Sequence, residues 1–107
     1  MRSTIRHLDV VRNPLRSAQR DRPFLVCIQH DRMIEMKTRI IANLVTSRVF
    51  PEPSRLHPAI SVEGNVLLFD PTDLLTLPVR ILGSPVANLA ADRDRIVAAL
   101  DLVFTGV

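Results

Sequence analysis

The chain has few or none of several residue types, and each scarcity narrows the possible functions. Its 107 residues include no Trp, no Tyr, four Phe and one cysteine, Cys27. Base-stacking platforms need aromatic faces, so the composition disfavours sequence-tolerant binding of single-stranded nucleic acid. A lone cysteine forms no internal disulfide and no zinc cluster, which indicates a reducing, cytoplasmic location.

The residues of common catalytic and cofactor sites are also sparse. The three glycines form neither a G-x-G-x-x-G nor a Walker sequence, and the three histidines lie far apart in the chain. His30 and Asp31 are adjacent, so on a strand their side chains would point to opposite faces. Asp70 and Asp73 flank a predicted turn. We therefore predict that the protein is not an enzyme and holds no metal or cofactor.

Long hydrophobic runs are missing. No run approaches the ~20 residues of a membrane span, and the start of the chain lacks the ~7–15-residue apolar core of a secretory signal. Hydrophobic residues make up 47% of the chain and charged residues 23%, which is typical of globular proteins. The length predicts a single domain over residues 1–107.

The basic residues are unevenly distributed. The net charge is +3, and much of the excess lies near the start of the chain, where only Asp9 and Asp21 oppose the arginines. An acidic partner is one interpretation of this segment, and a solvated arginine-rich loop is the other. The arginines are Arg2, Arg6, Arg12, Arg16, Arg20 and Arg22.

The hydrophobic pattern predicts short strands followed by one helix. Apolar and β-branched runs indicate strands, whereas Asp70-Pro71 should end one and the prolines between 51 and 58 forbid a regular ladder. A turn at Glu63–Asn65 predicts a hairpin. The predicted strands are Thr4–Val10, Phe24–Gln29, Thr38–Leu44, the hairpin arms Ala59–Val62 and Val66–Phe69, and Val79–Leu82.

From Leu89 onward the apolar period becomes helical. Large apolar residues fall at 89, 96, 97, 100, 103 and 104, one face of an α-helix. Asn88 is a suitable N-cap, and Gly106 stands where a helix needs a left-handed residue. Strands followed by a terminal helix predict an α+β fold, in which a small antiparallel barrel or sheet packs on the helix.

The last residues are not fully explained by a helix cap. Capping accounts for Gly106 and Val107, but Asp101 faces the negative end of the helix dipole, at a cost of roughly 0.3–1 kcal/mol if exposed. Chain ends usually carry polar residues into water, and this one ends on an apolar run. A partner-binding tip is one interpretation of these features, and a simple helix cap is the other.

Several segments together resemble the CcdB family of toxins. RPFLVCIQHD (22–31) is similar to the family's second strand and Val-Gln-Ser-Asp signature, with His30 in place of Ser. TRIIANL (38–44) is similar to a strand that usually has Pro where Asn43 stands. Further similar segments are LDVVRNP (8–14), HPAISVEG (57–64), LPVRILGSPVANL (77–89) and DRDRIVAALDLVFTGV (92–107).

The resemblance implies a mostly β, SH3-like barrel with an extra small sheet and a C-terminal helix. It implies a bacterial cytoplasmic homodimer that binds the A subunit of DNA gyrase and traps the cleaved DNA complex. A CcdA-like antitoxin would neutralise it, with no membrane and no direct sequence-specific nucleic-acid binding. The gyrase-contact positions it implies are Asp101, Phe104, Thr105, Gly106, Val107, Arg32 and Met33.

Two departures concern the gyrase contact. Thr105 stands where the best-known member has Trp, and a Trp could stack on an arginine for ~0.5–2 kcal/mol. Arg32 stands where the family has an aliphatic residue. Antitoxin tails of the family tend to be acidic, so Arg12, Arg16 and Arg20 are candidate antitoxin contacts.

Two alternatives remain open. The chain could be a degenerate or retargeted relative that keeps the dimer and antitoxin surfaces without poisoning gyrase. It could instead be an RNA-cleaving toxin of the MazF and Kid group, which would need an acid, a base and a phosphate-binding cation on one surface. His30, Asp31 and the arginine-rich loop are the residues available for that chemistry.

Overall fold

The computed structural model describes residues 4–107 and places six strands in one antiparallel sheet. The sheet curls into a nearly closed barrel with the order β4-β5-β3-β2-β1-β6, and one α-helix follows. The predicted mostly β, SH3-like barrel with a C-terminal helix is confirmed. The elements are β1 Asp9–Arg12, β2 Phe24–Cys27, β3 Thr38–Val45, β4 Ala59–Val62, β5 Asn65–Pro78, β6 Ala87–Asn88 and α1 Arg93–Phe104.

The alternation of side chains along the strands builds a core on each face of the sheet. Val10 lies opposite Val26, which lies opposite Ala42, and all three are buried in the core that α1 covers. The next residues along, Val11 and Leu25, pack into a second core on the other face. That second core also contains Ile5, Cys27, Ile41 and Leu82. Among residues 4–107 no helix has the length and apolar character to cross a membrane.

The predicted hairpin is confirmed, and its turn has a specific conformation. Val62 pairs with Asn65, so only Glu63 and Gly64 form the loop. Their φ angles of 52° and 81° are both left-handed, as a type I′ turn requires. This turn matches the twist of the two strands that it joins.

The predicted strand break at Asp70-Pro71 is wrong, because β5 absorbs the proline in an irregularity. Ala42 pairs with Leu74, while Asn43 pairs with Asp70, so three residues of β5 have no partner on β3. Pro71 lies among these unpaired residues, so the missing N–H of proline interrupts no hydrogen bond between the strands. Beyond it the strand resumes, and Thr76–Pro78 pair with Thr38–Ile40 as a two-stranded extension of the sheet.

Other predicted boundaries also need correction. The first strand begins at Asp9 rather than Thr4, because Leu8 takes a left-handed φ of 67° and interrupts the extended backbone. The second ends at Cys27 rather than Gln29. The predicted strand Val79–Leu82 is wrong, since Val79–Ile81 form a 3₁₀ turn where the pairing of β5 ends. Arg2 lies outside the described residues.

The segment before α1 contains a short strand and a 3₁₀ turn that the sequence pattern does not predict. Asn88 belongs to β6, a short strand that pairs with β1. A 3₁₀ turn over Ala90–Asp92 separates it from the helix, which begins at Arg93 rather than Leu89. The Asn88 carboxamide Oδ1 accepts the Ala90 N–H at 2.9 Å, whereas the N-cap position of α1 is held by Asp92, so the predicted N-cap at Asn88 is wrong.

The buried thiol makes stability pH-dependent above neutrality. Burial raises the pKa of Cys27 from 9.0 to about 11. Stability from the protonated thiol is fully present below pH 9.0 and is lost as the pH rises through about 11. We expect the free energy of unfolding in urea to fall by about 2 kcal/mol across this interval.

The control is Cys27→Ala, which should flatten this pH dependence. The comparison isolates the thiol, because Cys27 is the only cysteine and the chain has no Tyr. An equal fall in the variant and the unaltered protein would contradict the prediction.

Candidate functional site

The C-terminal helix is anchored in its first two turns and projects from the barrel in its last. Ile96 and Ala99 are fully buried in the core, and Leu100 packs at its edge. Beyond them Val103 is 37% exposed, Phe104 67% and Val107 79%. The helical period predicted 103 and 104 on the buried face, which is wrong because the core ends at Leu100.

A compact cap closes the projecting end. The carbonyl oxygen of Asp101 accepts the Thr105 N–H and the Thr105 hydroxyl, both at 2.8 Å, and the Gly106 N–H at 3.1 Å. Gly106 has a φ of 78°, which confirms the predicted left-handed glycine. The Thr105 side chain therefore helps to satisfy the helix end as well as lying on its surface.

The carboxylate of Asp101 has a different environment from its carbonyl. The residue is exposed, and its carboxylate has no hydrogen-bond or ion-pair partner within residues 4–107. Such a group remains free to accept bonds from a partner. We call the exposed set around it the helix tip; its residues are Asp101, Val103, Phe104, Thr105, Gly106 and Val107.

Val103 was not predicted as a site residue. It follows the buried Ala99 by four residues, so helical periodicity predicts that it shares the buried face. No signal in the sequence marks where the barrel beneath the helix ends. The exposure of Val103 follows only from the packing of the sheet.

Arg32 and Met33 lie in a 3₁₀ turn, Asp31–Met33, that is fastened at its start. His30 Nδ1 accepts the Arg32 N–H at 3.0 Å. Asp31 accepts the His7 N–H at 2.8 Å and the Arg6 Nε–H at 3.3 Å. The His7 bond, followed by the Arg6 charge, holds the pKa of Asp31 below its usual range. Arg32 and Met33 are consequently presented to solvent.

Arg32 and Met33 belong to a different element from the helix tip. The turn at Asp31 contacts His7, whose carbonyl accepts the Asn88 side-chain N–H before α1 begins. The helix tip lies at the opposite end of the twelve-residue helix, about 18 Å along its axis.

The arginine-rich segment is a loop tied at its base. The buried Asn13 accepts the Leu15 N–H, and its side chain donates to the Arg22 carbonyl at 2.8 Å. Arg12 is engaged, since its guanidinium donates to both carboxylate oxygens of Glu63 at 2.9 and 3.2 Å. By contrast, Arg16 and Arg20 are exposed and have no bonded partner within residues 4–107.

The polar side chains that the sequence offers for catalysis are engaged in hydrogen bonds. His30 and Asp31 are occupied with backbone groups, and Asp73 accepts from Arg22 and Asn43. Among the described residues no group of three or more His, Cys, Asp or Glu side chains could hold a metal ion. The helix tip instead combines exposed apolar surface with a free carboxylate, as protein-binding patches do.

The fold and this site define a small SH3-like barrel that projects one C-terminal helix. A comparison with protein-family models matches the CcdB family, described as CcdB protein, over residues 7–106. The chain therefore belongs to the CcdB family, whose members are toxins of toxin–antitoxin systems. A search of curated proteins gives no significant match.

The position of Asp101 predicts that this residue lowers stability. Its exposed carboxylate lies in the last turn, so Asp101→Asn should raise the free energy of unfolding by about 0.3–1 kcal/mol at low salt. Asp94, exposed in the first turn, is the matched control. Asp94→Asn should lower the same quantity by a similar amount, measured by urea unfolding. Equal effects from the two variants would contradict the prediction.

Proposed function

We propose that this protein is a toxin whose helix tip binds the A subunit of DNA gyrase and traps the cleaved DNA complex. The observation that carries the proposal is the helix tip itself, a projecting apolar end with a free carboxylate, in a chain of the CcdB family. The two features do not stabilise the fold, because the Asp101 carboxylate opposes the helix dipole and the Phe104 ring lies in water. Both features are useful once a partner covers them.

A homodimer is part of the proposal. A specific protein interface buries about 800 Å² on each partner, whereas one helix tip contributes only a few side chains. Two copies with adjacent C-termini would present a doubled, self-complementary apolar tip. Such an arrangement suits a symmetric target, because a two-fold axis repeats every contact.

Phe104 is the proposed anchor of the gyrase contact. It is the only aromatic residue of the helix tip, and aromatic side chains commonly supply most of the binding energy at an interface. Thr105, which stands where a Trp would stack on an arginine, donates its hydroxyl to the Asp101 carbonyl instead. The remaining aromatic contact of the tip therefore falls to Phe104. Arg32 and Met33, exposed in the turn Asp31–Met33, would extend the contact.

Removing the Phe104 ring should weaken gyrase binding without unfolding the protein. Because the ring is mostly exposed, Phe104→Ala should leave the unfolding transition nearly unchanged. Its affinity for the dimerisation fragment of the gyrase A subunit should fall by about tenfold or more, measured by calorimetry. Val66, 68% exposed on β5, supplies the matched control Val66→Ala.

A second variant lacks residues Thr105–Val107 and should bind no better than Phe104→Ala. If the folded unaltered protein fails to bind the gyrase fragment, the gyrase contact is wrong and a retargeted relative is favoured. If Phe104→Ala and Val66→Ala weaken binding equally, the helix tip is not the contact.

The same proposal includes neutralisation by an acidic antitoxin segment. Arg16 and Arg20 are available for it, whereas Arg12 is already paired with Glu63. Exposed arginines on a loop raise the association rate with an acidic partner more than they raise affinity. Arg16 and Arg20 would therefore steer the antitoxin toward the toxin.

Electrostatic steering by Arg16 and Arg20 would make the association rate with the antitoxin depend on the charge of this loop. The double variant Arg16→Gln, Arg20→Gln should associate with the cognate antitoxin about three- to tenfold more slowly at low salt, measured by stopped flow. The effect should shrink at high salt because of screening. Arg55→Gln with Arg93→Gln removes the same charge elsewhere, and an equal slowing by that control would contradict local steering.

A further inference from the structure

A cleft of about 500 Å³ opens between the loop that precedes β4 and the middle of α1. We call it the proline cleft, because two prolines of that loop line it. A cleft of this size with mostly apolar walls and a few polar groups is the usual form of a small-molecule site. The lining residues that matter here are Pro53, Ser54, Arg55, Pro58, Arg95 and Ala98.

The loop wall of the proline cleft is held in one shape by its own contacts. The Ser54 N–H donates to the His57 carbonyl oxygen at 3.0 Å, and the His57 N–H donates to Ser54 Oγ at 3.0 Å. The His57 ring stacks on Phe50, with 3.9 Å between the ring centroids. Pro53 and Pro58 each fix a backbone φ angle in this loop. Because the wall is preformed, a ligand loses little affinity in ordering it.

The helix wall offers apolar surface and little net charge. Ala98 is exposed on α1, beside the buried Ala99, and contributes only a methyl group to the cleft. A longer side chain at position 98 would occupy part of the cleft. Arg95, three residues earlier, donates to Asp92 Oδ1 at 2.5 Å. That ion pair largely neutralises the Arg95 charge, so this wall is suited to a hydrocarbon chain.

The polar groups of the cleft come from two consecutive residues, Ser54 and Arg55. Arg55 is exposed, and its guanidinium has no bonded partner within residues 4–107. The Ser54 hydroxyl accepts the His57 N–H, and its own hydrogen has no acceptor among the described residues. No acidic side chain of the described residues lines the cleft. A guanidinium and a hydroxyl hydrogen at one end of an apolar cleft suit a single carboxylate.

We propose that the proline cleft binds a small aliphatic carboxylate, with its charge at Arg55 and Ser54 and its hydrocarbon chain between the prolines and Ala98. One free cation suits the single charge of a carboxylate better than the nearly double charge of a phosphate group. The described lining contains no aromatic side chain, which argues against a nucleotide base. Its side chains also offer few partners for the amides of a peptide, and a buried amide without a hydrogen bond is costly.

The inference is independent of the gyrase contact, and its test uses neither gyrase nor an antitoxin. The test titrates ¹⁵N-labelled full-length protein with sodium octanoate below its micelle concentration and follows amide chemical shifts. We expect saturable shifts at Ser54, Arg55, Ala59, Arg95 and Ala98. The neutral analogue 1-octanol should bind more weakly, because it lacks the carboxylate. Propionate lacks the long chain and should produce no shifts at the same concentration.

Two pairs of variants separate binding in the cleft from general attraction to a basic protein. Arg55→Gln should weaken octanoate binding about two- to fivefold, as loss of an exposed ion pair does. Arg93→Gln removes an exposed charge outside the cleft and should have no effect. Ala98→Glu fills the cleft and repels a carboxylate, so it should abolish binding. Ala91→Glu makes the same change at an exposed position before α1 and should leave binding intact.

Several outcomes would overturn the proposal. They are the absence of saturable shifts with octanoate, shifts confined to the helix tip, and equal affinity for octanoate and 1-octanol. Equal effects of the two arginine variants, or of the two alanine variants, would also overturn it. The peptide acetyl-Ala-Val-Leu, with a free carboxylate, tests a protein C-terminus as the occupant. Tighter binding of this peptide than of octanoate would assign the cleft to a chain end and overturn the small-molecule ligand.

Discussion

The burial of Ile96 and Ala99 against the barrel core is the contact on which the rest of the molecule depends. It fixes α1 across one face of the sheet, where Val26 and Phe69 lie beneath it. Because the buried area ends near Leu100, the same contact determines which part of the helix projects into solvent. The helix tip is thus a consequence of the size of the core as much as of its own residues.

A few polar side chains hold the turn at Arg32 and the arginine-rich loop in place. Asp31 and His7 fasten the turn that presents Arg32 and Met33, and Asn13 ties the base of the arginine-rich loop. The side chains of Asp31 and Asn13 bond backbone groups that would otherwise lack partners in irregular segments. The loops that carry charge outward are therefore held by short polar residues rather than by hydrophobic packing.

The three surfaces differ in the partners that they suit. The helix tip is apolar with one carboxylate, whereas the arginine-rich loop and the proline cleft carry exposed arginines without bonded partners among residues 4–107. The first surface is thus apolar and the other two are basic, so different partners would complement them.

The sequence by itself determined the mostly β barrel, the hairpin at Glu63-Gly64, the terminal helix and the left-handed Gly106, because local periodicity and glycine chemistry act over a few residues. The sequence also predicts Asp101 and Phe104 as candidate site residues, and both are exposed. Only the tertiary structure decided that β5 continues past Pro71, since the irregularity depends on pairing with β3. It also decided that Val103 is exposed and that Arg55 and Ala98 border a cleft. Burial and neighbourhood arise from segments distant in the chain, and no local pattern encodes them.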